Sequence, residues 1–302
     1  MEPAVIVALR KAYRRIAGPN ASLTHAPRTV LRWIYGPDFT VKLRGKPFTV
    51  NLTDAVVSAS ILVYRKYEEL ETELMTQLVK PGMRALDLGA NIGFFTTLLG
   101  ELVGDRGRVA AFEPHPNNAR LLEKNVHDRG LDGIVTVYER AVGQEPGSAK
   151  LFLGEAANLG DFRLRPGAET ANARDGVEVQ IVRVDDALAD WPSVEFAKID
   201  IQGFETPALR GMAKLLERSP DAMLLTEFWP EGQRDAGYDA LTFYRQLREL
   251  GFSTWEVSEA PRGLLPLDEA RAPELIERLE RAGSLVNLLC ARRADAFAEI
   301  RL

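Results

Sequence analysis

Asp87-Leu88-Gly89-Ala90-Asn91-Ile92-Gly93 sets a carboxylate, two glycines and an amide within one short turn at the end of an apolar run. Glycines at this spacing let the backbone approach a ligand closely. Asn91 tolerates left-handed geometry and offers a polar amide, and Asp87 is placed to meet an ammonium group directly or through water. A pyrophosphate-binding turn would want a third glycine, so this one suits a zwitterionic ligand better than a phosphate. Glu113 ends the next apolar run, where a carboxylate can accept hydrogen bonds from both hydroxyls of a ribose. Pro114 and His115 then offer flat or apolar surface to an adenine ring.

Two further run ends carry charge. In Phe196-Ala-Lys198-Ile-Asp200-Ile-Gln202-Gly-Phe-Glu205, Lys198 and Asp200 share one face of an otherwise apolar strand, and buried charges call for a partner or a function. Asp200 is a candidate to orient a substrate hydroxyl, the bland alternative being a structural pair of Lys198 with Asp200 or Glu205. Glu227, followed by Phe228 and Trp229, is a candidate to accept a proton from an acceptor hydroxyl, the alternative being an edge carboxylate beside core aromatics. A metal-assisted version would have Asp200 and Glu227 hold Mg²⁺ through oxygen, which is not favoured because no fuller carboxylate cluster is visible.

These residues need a parallel sheet to bring them together. Apolar runs at 84–88, 108–112, 134–138, 195–201, 222–227, 252–257 and 284–291 alternate with amphipathic stretches near 92–103, 116–129, 205–217 and 239–250, which predicts an α/β fold with helices on both faces. The last strand follows a Pro-broken segment and a charged helix (273–282), so it is expected to enter antiparallel. Ahead of the sheet the pattern predicts a helix over 3–17, a hairpin over 39–52 and a helix over 55–79. The expected division is an N-terminal helix and hairpin appendage over 1–60 and a main domain over 61–302, with an insertion at 143–182 holding alternating runs at 149–153 and 177–182.

A chain of 302 residues with 46% hydrophobic and 27% charged residues falls in the ordinary globular class. The single Cys and three His stand at no zinc-ligand spacing, which excludes a disulfide framework and a structural zinc. No apolar run is long enough to span a bilayer, and arginines stand where a secretory cleavage site would be, so the expectation is a cytoplasmic protein. The net charge of -5 hides nine Lys/Arg against two acids in residues 1–50. Such a segment could favour an anionic membrane surface or a polyanionic substrate, but the preferred reading is a solvated face docked on the acidic body.

With those residues laid out, the chain resembles the FkbM family of class I methyltransferases from about Val50 to Arg292. The resemblance rests on Tyr67-Glu68, Lys80 to Thr96, Phe112-Glu-Pro, Arg140-Ala-Val-Gly143, Asn158-Leu-Gly160, Lys198 to Glu205 with Leu209-Arg-Gly211, and Glu227. It implies a Rossmann-like seven-stranded, mostly parallel sheet and S-adenosylmethionine as cofactor. The implied reaction is methyl transfer, usually to oxygen, on hydroxyls of natural products, sugars or glycans. It would set Asp87, Gly89, Asn91 and Gly93 around the cofactor's amino-acid end, Glu113 on its ribose, Arg140-Ala141-Val142 beside its adenine, and Glu68 closing over the pocket. Gln202 departs from the commonest family form, where Glu is frequent, and this weakens a metal-dependent mechanism.

The expected activity is therefore an S-adenosylmethionine-dependent O-methyltransferase with Asp200, Glu227 and Lys198 at the reacting end. Its expected partner is a small-molecule or glycan acceptor rather than nucleic acid, with the oligomeric state left open. A nicotinamide-dependent oxidoreductase would share the turn and Glu113 but should show three glycines. A catalytically silent binding module would keep the pocket without turnover.

Overall fold

The computed structural model describes residues 32–54, 56–153, 162–165, 176–293 and 295–302. The expected leading helix and the basic positions up to Arg28 lie outside the described residues. The first strands among the described residues form a hairpin, β1 (Asp38–Leu43) and β2 (Lys46–Asn51), followed by α1 (Val57–Tyr64) and α2 (Glu69–Leu78). Next come β3 (Arg84–Leu88), α3 (Phe94–Val103), β4 (Arg108–Phe112), α4 (Pro116–Asp128) and β5 (Val135–Tyr138). Short strands β6 (Ala141–Val142), β7 (Gly147–Leu153), β8 (Phe162–Arg165) and β9 (Val177–Val182) form a second sheet in the order β6-β9-β7-β8. The chain continues through α5 (Val184–Ala187), β10 (Phe196–Ile199), α6 (Glu205–Gly211), α7 (Ala213–Glu217), β11 (Met223–Phe228), α8 (Pro230–Asp235) and α9 (Ala240–Glu249). It ends with β12 (Ser253–Glu259), β13 (Arg262–Leu267), α10 (Arg271–Ala282) and β14 (Val286–Ala291).

The main sheet runs β13-β12-β14-β11-β10-β3-β4-β5, a Rossmann-like, mostly parallel arrangement with helices on both faces. All seven expected strands are in it, and β14 enters antiparallel to both β11 and β12 as the sequence suggested. An eighth strand, β13, comes from the segment expected to be broken by proline. Pro266 pairs opposite Trp255 on this edge strand, where a residue without an N–H costs no inner ladder bond. Strands β3, β4 and β10 are buried on both faces, which is why they read as nearly continuous apolar runs.

Side chains alternate between two cores. Ala85, Phe196, Leu225 and Leu289 face the core shared with α1 to α4 and the hairpin, while Leu86, Ala197, Leu224 and Leu288 face the core under α6, α7, α9 and α10. By that alternation Asp87, Lys198 and Glu227 all point to the first face. Asp87 and Lys198 are directly paired in register on neighbouring strands.

Two predicted helices are interrupted. The expected helix over 55–79 is α1 and α2, separated where Arg65 and Glu68 take positive φ (60° and 42°) and break the helical ladder. The expected helix over 205–217 divides at Met212 (φ -120°) into α6 and α7. The hairpin shares the first core through Val41, Leu43, Phe48 and Val50, and it is fastened by the buried Asn125 of α4. Asn125 Oδ1 accepts from the Thr49 backbone N–H (2.6 Å), and its Nδ2 donates to the carbonyls of Thr49 (2.9 Å) and Ile92 (2.8 Å). Asn125→Ala strips partners from three buried backbone groups and is expected to cost on the order of 2–4 kcal/mol in urea unfolding. Basic residues of the hairpin dock on the body: Arg44 and Lys46 both meet Glu101.

Candidate functional site

A crevice of about 980 Å³, counting space open to solvent, lies at the carboxyl ends of β3, β4 and β10, where open α/β sheets place their ligands. Its floor is the turn from Gly89 to Ile92. Gly89 and Ala90 both donate their N–H to the Phe112 carbonyl (3.0 Å each), which ties the turn to the end of β4. The glycines answer first to the protein itself. A Cβ on Gly89 (φ +85°) would fall 1.8 Å from the Asp200 carbonyl oxygen, and one on Gly93 (φ +89°) 2.6 Å from Leu122. Their absent side chains bring the Asp200 loop and α4 against the turn. Asn91 (φ 50°) turns its side-chain oxygen onto the Ile92 N–H (2.7 Å) and its own N–H onto Glu113 Oε2 (2.8 Å).

Glu113 is buried beside this turn, with Oε1 accepting from the His115 N–H (2.9 Å). Three donors, the Asn91 and His115 N–H groups and the Asn118 side chain, meet its roughly four lone-pair sites, which leaves the carboxylate able to accept from a ligand hydroxyl. Burial pushes Glu113 up to about 7, opposed by the His115 and Asn91 N–H groups and by Asn118. Phe112, Pro114, Ala141, Val142 and Leu151 supply an apolar wall beside it. Ala141 and Val142 are contributed by β6, so the second sheet helps form the pocket.

The opposite side is charged. Lys198 Nζ lies 2.7 Å from Asp200 Oδ2 and 4.8 Å from the centre of the Phe95 ring. Burial alone would lower the Lys198 ammonium, but Asp200, Glu68 and Asp87 outweigh it and hold the lysine above its ordinary range. Lys198 pairs with Asp200; Glu205 instead accepts from the backbone N–H groups of Ile201 and Gly203 (3.2 Å each). Asp87 lies behind the crevice wall, where its Oδ2 accepts from Thr96 (2.5 Å). Its Oδ1 has no hydrogen-bond partner among the described residues, and burial raises Asp87 above the usual carboxylate range. Glu227 is likewise set behind the wall, pushed well upward by burial and by Asp200 and Glu205. Glu68, outside the crevice lining but close enough to interact with Lys198 and Asp200, is raised to about 7 by burial against the pull of Lys198.

Eight of the expected site residues therefore line the crevice: Gly89, Asn91, Glu113, Pro114, Ala141, Val142, Lys198 and Asp200. Asp87, Gly93, Glu68 and Glu227 support it from behind or beside. Two further residues belong to the site: Tyr67, to which the sequence assigned no role beyond the resemblance, packs its ring edge-on to Phe94 (5.7 Å) and lines the crevice, and Asn118, which no motif marked, braces Glu113. The sequence assigned Gln202 no role, yet Gln202 Nε2 donates to Asp200 Oδ1 (3.0 Å) and lies 3.4 Å from Glu227 Oε1. With an ammonium on one Asp200 oxygen and an amide N–H on the other, the donor set does not suit Mg²⁺. Among the described residues no group of three His, Cys, Asp or Glu is arranged to hold a metal ion.

The raised carboxyls have a consequence for stability. Glu68, Glu113 and Glu205, held near 7 in the folded chain, bind more protons there than when unfolded, so their contribution is full below the ordinary carboxylate value near 4.5 and is lost as pH rises towards 7. Glu205→Gln, which keeps the shape and removes the ionisation, is expected to flatten the fall in melting temperature between pH 5 and 8 relative to the unmodified protein.

Comparison with known proteins identifies a family for the chain. The family model described as "Methyltransferase FkbM domain" matches residues 87–254. A protein-L-isoaspartate O-methyltransferase of Aeropyrum pernix is 42% identical over 65 residues, 21% of this chain and 25% of that protein. A ribosomal RNA large subunit methyltransferase E of Acidithiobacillus ferrooxidans is 32% identical over 95 residues, 30% of this chain and 41% of that protein. The chain thus spans less than half the length of these curated relatives. Among solved structures, an S-adenosylmethionine-dependent O-methyltransferase of Thermotoga maritima overlays with a TM-score of 0.42 at 15% identity, covering 84% of this chain and 86% of that one. An rRNA methylase of Streptococcus thermophilus scores 0.42 at 11% identity, covering 73% and 92%. Likenesses of that size say nothing about the reaction, and no helix among the described residues is long and apolar enough to cross a membrane.

Proposed function

Because the chain belongs to the FkbM methyltransferase family, we propose that it moves a methyl group from S-adenosylmethionine to a hydroxyl oxygen of a sugar, glycan or other small natural product. The observation that carries this reading is the orientation of Asp200: a carboxylate on the crevice wall, held by Lys198 and Gln202, on a loop packed against the glycine turn. In this reading Glu113 accepts from the ribose hydroxyls, while Pro114, Ala141 and Val142 flank the adenine. The turn at Gly89 to Asn91 holds the amino-acid end, with Asp87 supporting it from behind.

The cofactor supplies an activated methyl group whose departure leaves its bonding pair on sulfur. The protein's tasks are to align the acceptor oxygen with that carbon, exclude water and take the hydroxyl proton. Asp200 takes the proton as the new oxygen–carbon bond forms. Lys198, 2.7 Å from Asp200 Oδ2, steadies the direction of the carboxylate, and the aromatic wall of Tyr67, Phe94 and Phe95 keeps water from the reacting end. Glu227 is too enclosed to meet an acceptor as the structure stands, and its place in this reading is beneath Asp200.

Mass spectrometry of a metabolite and glycan extract incubated with protein and cofactor tests the proposal. Gain of one methyl group on a hydroxyl-bearing small molecule is the expected result. Labelling confined to ribosomal RNA or to protein would overturn the acceptor class, and release of no methylated product would favour a silent binding module.

A further inference from the structure

Gln202 follows the strand end that bears Asp200 and takes an uncommon backbone conformation for a glutamine, φ 56°. The loop is pressed into place: a Cβ on the next residue, Gly203 (φ +94°), would fall 2.3 Å from the Gly232 carbonyl oxygen of α8. The strain therefore persists because surrounding backbone enforces it. What it achieves is visible in the amide. Gln202 Nε2 has two hydrogens and two facing acceptors, Asp200 Oδ1 at 3.0 Å and Glu227 Oε1 at 3.4 Å. Asp200 Oδ2 is taken by Lys198. Beyond them, Glu227 Oε2 and Glu205 Oε2 are both buried with no partner among the described residues. Gln202 is thus the donor that separates Asp200 from a buried pair of acids.

We infer that Gln202 is the positioning residue of the proton-accepting centre: its amide aims the Asp200 carboxylate into the crevice and keeps a hydrogen-bond donor between Asp200 and Glu227. The inference rests on the reading of Asp200 as the base. The charged and titratable groups facing Asp200 are Lys198 from the same strand, Glu227 from β11, Glu205 from α6, Asp87 from β3, and Tyr67 and Glu68 from the segment before α2. Lys198 is the one cation among them. An acid in place of the amide would add like charge to an already acid-rich cluster and favour protonation of its members.

The test uses the full-length chain, S-adenosylmethionine labelled in its methyl group, and the low-molecular-weight fraction of a bacterial extract, with initial incorporation measured against pH. Asn is comfortable at positive φ and is one methylene shorter, so Gln202→Asn withdraws the amide without loading the backbone. It is expected to lower the saturating rate ten- to a hundredfold while the calorimetric affinity for the cofactor changes less than twofold. Gln202→Glu keeps the length and replaces the donor by a further carboxyl beside Asp200, Glu227 and Glu205. It is expected to move the acidic limb of the rate–pH profile upward by about one pH unit, with rate regained at higher pH. Wild-type rates and profiles in both variants would overturn the inference. So would a loss of rate that merely follows a loss of cofactor affinity with the profile unmoved, the result of a purely structural role. Asp200→Asn is run alongside: if it retains the wild-type rate, the base assignment itself is what fails, whereas an inactive Asp200→Asn with a normal Gln202→Asn rejects Gln202 alone.

Discussion

Asp200→Asn is expected to lower methyl incorporation by two to four orders of magnitude, the range that a positioned proton acceptor supplies, with cofactor affinity changed by no more than about threefold. The amide is isosteric, so the loop keeps its shape, and no oxygen that serves the glycine turn or Glu113 is touched. Asp200 Oδ2 accepts from Lys198 and Oδ1 from Gln202. An Asn can satisfy one of these donors and must turn its own N–H₂ towards the other, so the directional hold is lost together with the basicity. Steady-state rates at saturating cofactor, paired with calorimetry on the same preparations, check it. A variant with a near-normal rate would show that alignment alone carries the reaction and that the proton leaves directly to water.

Among the glycines of the described residues, Gly89 is the one where a single added methyl group (Gly89→Ala) is expected to do the most damage. Its Cβ would sit 1.8 Å from the Asp200 carbonyl oxygen, a backbone atom that no side-chain rotation can clear, at a φ of +85°. The backbone conformation alone costs on the order of 1–3 kcal/mol for a residue with a Cβ. Relief of the overlap must then come from parting the turn from the Asp200 loop, which separates the two walls of the crevice. We expect cofactor affinity to fall at least a hundredfold and the urea midpoint to drop in proportion. Gly82→Ala is the control. Gly82 has nearly the same φ (+90°) with nothing within 4 Å of an added Cβ, so it reports the conformational cost by itself. Equal losses in the two variants would show that the overlap at Gly89 is relieved at no cost.

The glycine turn shows how a correct position can be read for an incomplete reason. The sequence marks Gly89 and Gly93 by type and spacing, and the natural reading is room for a ligand. The atoms that need the room are those of Asp200 and Leu122, more than a hundred and nearly thirty residues further on, and no local pattern records such a contact. Glu113 was legible because a carboxylate ending an apolar run is unusual in itself. The interruption of the expected 55–79 helix was not, since Arg65 and Glu68 give no glycine or proline signal and hold positive φ only in the tertiary setting that brings Tyr67 to the crevice. The eighth strand was hidden by Pro266, which reads as a breaker anywhere except on an edge.

By itself the sequence determined the alternation of strands and helices, the turn at Asp87 to Gly93, Glu113 at the next strand end, and the placing of Lys198 and Asp200 on one face of their strand, though not which acid Lys198 pairs with. Each of these is written in short-range spacing, period two along a strand or a fixed offset across one turn. The tertiary structure decided the rest. It set the face of the sheet towards which Asp87, Lys198 and Glu227 all point, closed Glu227 off behind the wall, and laid the Gln202 amide between two carboxylates from different strands. Those outcomes depend on strand order and on backbone contacts between distant segments, β10 beside both β3 and β11, and such juxtapositions exist only once the sheet has formed.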